Sequence, residues 1–127
     1  MKNNKQIAVM VPCYNEEITI AKVIRDFKEV LPHADIYVYD NNSTDNTISE
    51  AISAGAIVRQ EHVQGKGKVI NRMFADIEAD IYLIVDGDDT YDASAAPNLI
   101  KHLEDNNLDM VNGYRMTTSK KAYRFGH

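Results

Sequence analysis

Short unbroken apolar runs alternate along the chain with longer stretches in which apolar residues recur every three or four positions. The runs IAVMV (Ile7 to Val11), DIYVYD (Asp35 to Asp40), AIVRQ (Ala56 to Gln60) and IYLIV (Ile81 to Val85) are bounded by turn-forming residues and predict strands, the apolar ones buried on both faces. The first is expected to end at Pro12. Between the first two runs, Ile20, Val23, Ile24, Phe27 and Leu31 fall at helical spacing, with Asn15 as the expected N-cap, Glu16 and Glu17 at the positive end of the dipole and Pro32 just beyond. Ser43 or Thr44 is the expected cap of a second helix running through Ala54, with Gly55 as its stop. A GKGK loop leads into a third helix whose stripe is Ile70, Met73, Phe74 and Ile77. A fourth, from about Ala95 to Asn106, uses Leu99, Ile100 and Leu103, and a short strand follows over Asp109 to Gly113. The order β-α-β-α-β-α-β-α-β predicts an α/β fold with a mostly parallel sheet, right-handed crossovers and helices on both faces.

Composition narrows the function classes. At 127 residues, with no internal repeat and no Gly-, Pro- or Ser-rich linker, the chain is expected to form one domain over residues 1–113, with 114–127 as a basic tail or the start of a further half. The longest apolar runs are about five residues, against the roughly 18 that a membrane helix needs, so no transmembrane segment is expected. The start MKNNKQIAVMVP is a poor signal peptide, and a cytoplasmic protein is expected. The single cysteine, Cys13, has no internal partner for a disulfide. A net charge of −5 argues against nucleic acid as a partner. That charge is uneven: no acid follows Asp109, whereas Arg115, Lys120, Lys121 and Arg124 crowd the last segment.

In an open parallel sheet, ligands sit beyond the carboxyl ends of the strands. Those ends carry PCYNEE, DNNSTD, HVQGKGK and DGDDTYD, which gathers carboxylates, amides, hydroxyls and lysines on one rim. The last places four carboxylates, Asp86, Asp88, Asp89 and Asp92, in seven positions. Carboxylates that close raise one another's pKa unless a cation or hydrogen-bond donors offset them. An Asp-x-Asp pair, Asp86 and Asp88, sets two carboxylates on one side of an extended segment, where they can hold a hard divalent cation with positions left for phosphate oxygens. A calcium loop does not fit, because its sixth position would be Tyr91 rather than Gly and its twelfth Pro97 rather than Glu. Lys66 and Lys68 of GKGK stand where a helix N-terminus could meet phosphate, although the stretch is not a P-loop and a solvated turn is its plain alternative. Asp40 closes the second strand, where an acid accepts hydrogen bonds from a ribose or base, or else caps a local turn. His33, His62, His102 and His127 lack metal-ligand spacing, and Cys13 reads as a small loop or core residue rather than a nucleophile.

Taken together and in order, VPCYNEE, YDNNSTDNT, GKGKVIN and VDGDDTYD resemble the N-terminal half of family-2 glycosyltransferases of the GT-A fold, especially bacterial relatives that transfer sugars to polyprenyl phosphate. The resemblance covers essentially the whole chain. It implies a Rossmann-like fold that binds a nucleotide-sugar donor. Pro12, Tyr14, Asn15, Glu16, Asp40, Asn41, Lys66, Asp86 and Gly87 would contact that donor. Asp86 and Asp88 would carry catalysis through Mg²⁺ or Mn²⁺, with Thr90 as an added metal ligand. It further implies inversion at the anomeric carbon, an acceptor such as a polyprenyl phosphate or a cell-envelope glycan, and a position at the inner face of the plasma membrane.

The sequence departs from the family pattern at one point. Members run well past this length, and their second half supplies the acceptor site and the carboxylate that activates the acceptor, so a truncated product holding the donor half is expected. A sheet left partly uncovered would favour self-association. Two alternatives remain. One is a module that binds the donor without turnover. The other, a phospho-receiver domain, needs an acidic pair after the first strand and an Asp after the third, whereas PCYN and RQEHVQ stand there.

Overall fold

The computed structural model describes residues 6–89 and 92–104 in full, together with the backbone of 105, 110–111 and 115–118. Its elements in chain order are β1 (Ile7–Cys13), α1 (Ile20–Val30), β2 (Asp35–Asp40), α2 (Thr47–Ser53), β3 (Ile57–Gln60), α3 (Lys66–Asp76), β4 (Ile81–Ile84), a 3-10 turn (Ala93–Ala95), α4 (Ala96–Asp105), β5 (Met110–Val111) and β6 (Arg115–Thr118). They form one sheet in the order β3-β2-β1-β4-β6-β5. β1 pairs in parallel with β2 and β4, and β2 with β3; β6 runs antiparallel to both β4 and β5. β5 therefore points the same way as β4, and β6 is the reversed strand in an otherwise parallel sheet, as the α/β expectation of a mostly parallel sheet required.

The period of two along the central strands divides the core. Val9, Val11 and Cys13 of β1 face one side, with Ile81 and Leu83 of β4, and pack against Ile20, Val23, Ile24 and Phe27 of α1 and against Ile100 and Leu103 of α4. Ala8 and Met10, with Tyr82 and Ile84, face the other side and pack against Val69, Ile70 and Met73 of α3. Each buried aliphatic or aromatic side chain contributes roughly 1.5–3 kcal/mol. This two-sided burial is why β1 and β4 read as unbroken apolar runs. β3 departs from it: as the sheet edge it leaves Ile57, Arg59 and Gln60 exposed.

Other boundaries differ from expectation for physical reasons. β1 continues through Pro12 to Cys13 because its ladder with β4 stops at Met10, so the proline lies where the strand has only β2 beside it. α1 begins at Ile20 with Thr19 as N-cap, not after Asn15. Asn15 instead adopts φ 53° and its Oδ1 accepts the Thr44 N–H at 2.8 Å. α2 begins at Thr47 with Asn46 as N-cap, because Ser43 and Thr44 are engaged with neighbouring loops. Lys66 to Lys68, expected in a loop, already form the first turn of α3. Gly55 stops α2 as expected, at φ +98°. β6 has no counterpart in the predicted elements; it takes Arg115 to Thr118, on the far side of residue 113, into the same sheet. Lys120, Lys121 and Arg124 lie outside the described residues.

Candidate functional site

The carboxyl ends of β1, β2 and β4 and the N-terminus of α3 enclose a pocket of about 450 Å³. Pro12, Cys13, Tyr14 and Glu16 line it from β1, Asn41 from β2, Gln64, Gly65, Lys66 and Val69 from the approach to α3, and Asp86 and Asp88 from β4. This is the crevice that the strand-end rule selects.

α1 anchors the acidic loop. The Thr19 hydroxyl donates to the carbonyl oxygen of Gly87. Lys22 Nζ lies 2.7 Å from Asp26 and 3.2 Å from Asp89, which tucks Asp89 back toward the helix at φ 64°. Gly87 lets the loops touch: a Cβ there would stand 2.8 Å from Cys13 Sγ and 3.3 Å from Glu16 Cγ. Asp86 and Asp88 are thus left on the pocket wall, and Lys66 Nζ reaches across to Asp86 Oδ1 at 2.6 Å.

The electrostatics follow from that crowding. Partial burial, then the charges of Asp88 and Asp86, push the Glu16 carboxyl above its ordinary value, while Lys66 opposes the shift. Burial, reinforced by Glu16 and Asp40, pushes the Cys13 thiol well up and leaves it inert, in agreement with its reading as a core residue. Among the described residues no three His, Cys, Asp or Glu side chains converge into a ready-made metal cage. The donor set nevertheless fits Mg²⁺ or Mn²⁺, which are commonly held by one or two carboxylates with phosphate oxygens and water completing the shell. Asp86 and Asp88 would supply the hard oxygen ligands, with Asp86 Oδ1 facing the Lys66 ammonium at 2.6 Å.

Of the residues singled out in the sequence, Pro12, Tyr14, Glu16, Asn41, Lys66, Asp86 and Asp88 line the pocket. Gly87 lies buried behind the wall. Asn15 and Asp40 are not part of the lining: Asn15 turns toward the β2–α2 loop, and Asp40, fully buried, accepts both the N–H and the hydroxyl of Ser43. Asn41 shows its edge to the pocket, but its amide is committed elsewhere. Nδ2 donates to the carbonyls of Glu61 at 2.7 Å and Val63 at 3.0 Å, and Oδ1 accepts the Gly65 N–H at 3.0 Å. It therefore shapes the turn that delivers Lys66. Thr90 lies outside the described residues. Sequence reasoning missed Cys13, Gln64, Gly65 and Val69 as lining residues; Asn41 holds the Gly65 N–H and Asn42 Nδ2 donates to Gln64 Oε1 at 2.7 Å, partnerships for which the sequence gives no signal.

The profile of glycosyl transferase family 2 matches residues 8–127 of this chain. The chain belongs to that family. Protein RfbJ of Shigella flexneri is 57% identical over 128 residues, an alignment covering 100% of this chain and 99% of that protein. Glycosyltransferase AglJ of Haloferax volcanii is 38% identical over 98 residues, 76% of this chain and 32% of the relative. The crystal structure of glucosyl-3-phosphoglycerate synthase from Mycobacterium tuberculosis in complex with Mg²⁺ and uridine diphosphate superposes with a TM-score of 0.69 at 29% identity, over 78% of this chain and 39% of that one. The family 2 chain thus spans nearly all of RfbJ, about a third of AglJ and two-fifths of the synthase. The expected family and its GT-A, Rossmann-like fold are both borne out.

Proposed function

We propose that this chain binds a nucleoside-diphospho-sugar in the strand-end pocket and that it serves a metal-assisted, inverting glycosyl transfer. The observation that carries the reading is the convergence of Glu16, Asp86 and Asp88 with Lys66 on one pocket at the carboxyl edge of a parallel sheet. Structures of glucosyl-3-phosphoglycerate synthase solved with Mg²⁺ and uridine diphosphate, and with Mn²⁺ and uridine-diphosphate-glucose, add support.

In this reading Asp86 and Asp88 hold Mg²⁺ or Mn²⁺ beside the diphosphate. Bound there, the cation supplies Lewis-acid stabilisation of the negative charge that develops on the leaving group. Lys66 exchanges its contact with Asp86 for a phosphate oxygen, at the N-terminus of α3 where backbone N–H groups add to the positive field. Tyr14, 53% exposed, offers its ring at the pocket mouth to a flat base. Transfer forms a bond from the acceptor oxygen to the anomeric carbon while the bond to the diphosphate breaks, the electron pair leaving with the phosphate oxygen; an ionised phosphate acceptor has no proton to lose, and a glycan hydroxyl gives its proton to a carboxylate or to water. Attack from the opposite face inverts the carbon. We assign Thr90 as an added metal ligand, Asn15, Asp40 and Gly87 as supports of the donor site, and a polyprenyl phosphate or a cell-envelope glycan as acceptor. We place the protein in the cytoplasm at the membrane's inner face; no helix among the described residues is long and apolar enough to cross a membrane. The exposed edge strand β3 offers a route to self-association.

A thermal-shift panel of UDP, GDP, dTDP and CDP, each with Mn²⁺ and with EDTA, tests the donor site. A nucleotide at about 100 times its dissociation constant adds about 2.7 kcal/mol to the folded state. Stabilisation by one nucleotide that needs the metal and vanishes in Asp88→Ala is the expected result; no shift with any of the four would sink the reading. A second reading is a donor-binding module without turnover. Transfer to a polyprenyl phosphate above the hydrolysis background would eliminate it.

A further inference from the structure

The loops that follow β1 and β2 are bonded to each other in a pattern that occurs twice. Asp40 accepts the backbone N–H of Ser43 at 2.9 Å and also its hydroxyl, and Ser43 Oγ accepts the backbone N–H of Asn15 at 2.8 Å. Further along, Asp45 accepts the backbone N–H of Thr47 at 2.9 Å and also its hydroxyl, and Thr47 Oγ1 accepts the backbone N–H of Glu16 at 2.8 Å. A hydroxyl has one proton and two lone pairs. Once that O–H is donated to a carboxylate, a lone pair is turned to the other side, and the only partner it suits is a donor. The carboxylate thus sets the hydroxyl, and the hydroxyl sets an amide of the β1 loop.

The β1 loop reciprocates. Asn15 Oδ1 accepts the Thr44 N–H at 2.8 Å, and Glu17 Oε1 accepts the Asn46 N–H at 2.9 Å. Thr47 is fully buried, whereas Tyr14 and Glu16, on either side of the first held amide, line the pocket. The carboxyl of Asp45, although burial pushes it up, is held below its ordinary value by the Thr47 hydroxyl and by the N–H groups of Thr47 and Glu17, as a fixed acceptor should be.

We propose that Thr47 and Ser43 are positioning residues of the pocket: their hydroxyls, oriented by Asp45 and Asp40, fix the backbone of Glu16 and Asn15 and so place the Tyr14 and Glu16 side chains for the donor. The effect on binding rests on the donor-site reading above; the bonds themselves do not.

The test uses Thr47→Val, which keeps the shape and removes the acceptor, and Thr47→Ser, which keeps the hydroxyl. Two quantities are read well below the melting temperature. One is hydrogen exchange at the Glu16 amide; the other is affinity, by calorimetry with Mn²⁺, for the tightest binder among UDP, GDP, dTDP and CDP. Thr47→Val is expected to speed exchange and weaken affinity, each by roughly tenfold, the scale of one net hydrogen bond, while Thr47→Ser stays within about twofold of the parent. Unchanged exchange in Thr47→Val overturns the proposal, as does an equal loss in both variants. Faster exchange with unchanged affinity overturns it too, leaving Thr47 a structural residue only. Should Thr47→Val fail to fold, Ser43→Ala, at a half-buried position, gives the same two readouts with the Asn15 amide. If the parent binds none of the four nucleotides, the donor-site reading falls, and amide exchange still decides whether the hydroxyls hold the loop.

Discussion

Lys66 sits between two demands. Its ammonium offsets the charge that Asp86, Asp88 and Glu16 impose on one another, yet it occupies the oxygen of Asp86 that a divalent cation would use. Both partners are substantially exposed, with side chains 46% and 30% accessible, so the pair is worth only about 0.2–1 kcal/mol, as a screened surface ion pair is, or about 1.4- to fivefold in an equilibrium. Replacing Lys66 by Met should therefore tighten binding of Mn²⁺ alone by a few-fold and weaken nucleotide binding, opposite signs that calorimetry with each ligand separately would register. A loss in both would mean that Lys66 supports the fold of the loop rather than competing for it. Gly87 makes a second residue-scale claim. An alanine Cβ would press into Cys13 Sγ at 2.8 Å, and Cys13 is buried, so the loops must separate. Overpacking of this kind costs about 1–3 kcal/mol, and Gly87→Ala should lower the urea midpoint and donor affinity together.

Among the elements, those that need no partner to be recognised were legible in advance. IAVMV and IYLIV are apolar at every position because both sheet faces are covered, and the stripe of α1 from Ile20 to Phe27 is apolar only where it meets the sheet. Local capping rules misplace the helix starts because they let a capping residue serve only its own chain segment. Asn15, Ser43 and Thr44 have capping side chains, but these reach across 28 or 29 residues to another loop. A local rule cannot see that competition, since the alternative partner becomes available only once β1 and β2 lie side by side. Topology put the loops that line the pocket on one rim, and the family resemblance singled out Tyr14, Glu16, Lys66, Asp86 and Asp88 within them, whereas Asn41 as the organiser of the 61–65 turn was beyond either. α1 also bears on the acidic loop through Thr19. Thr19→Val removes the bond to the Gly87 carbonyl, and weaker Mn²⁺-dependent stabilisation by nucleotide, with α1 intact by circular dichroism, is the expected result.

For the whole molecule, pH acts through carboxyls shifted in opposite senses. Burial alone would raise Asp76, but the Tyr39 hydroxyl at 2.8 Å and Arg72 at 3.0 Å hold it below its ordinary 3.8; Asp92 is lowered by Ser94. Such a group binds its proton less readily in the folded protein. Its stabilising contribution is full above the unfolded value and is lost as pH falls through the lower folded one. Glu16, raised above 4.5, acts in reverse: its contribution is present below that value and fades as pH climbs to the folded one. Acid unfolding should begin below 3.8, and Asp76→Asn should flatten that limb, as urea midpoints taken from about pH 6 down to about pH 3 would reveal.

β6 carries a consequence for how this sheet is completed. β5 is joined to the sheet only through β6, and β4 has β1 on one flank and β6 on the other. During synthesis, then, the apolar strand β4 waits with a bare hydrogen-bonding edge until residues 115–118 have left the ribosome, and among the described strands no earlier one is placed to cover it. A nascent chain halted at Gly113 would keep the residues of the strand-end pocket and still be sticky along β4. Such a product should sediment as aggregate while the longer chain does not, which would make these four residues a seal on biosynthesis rather than an appendage.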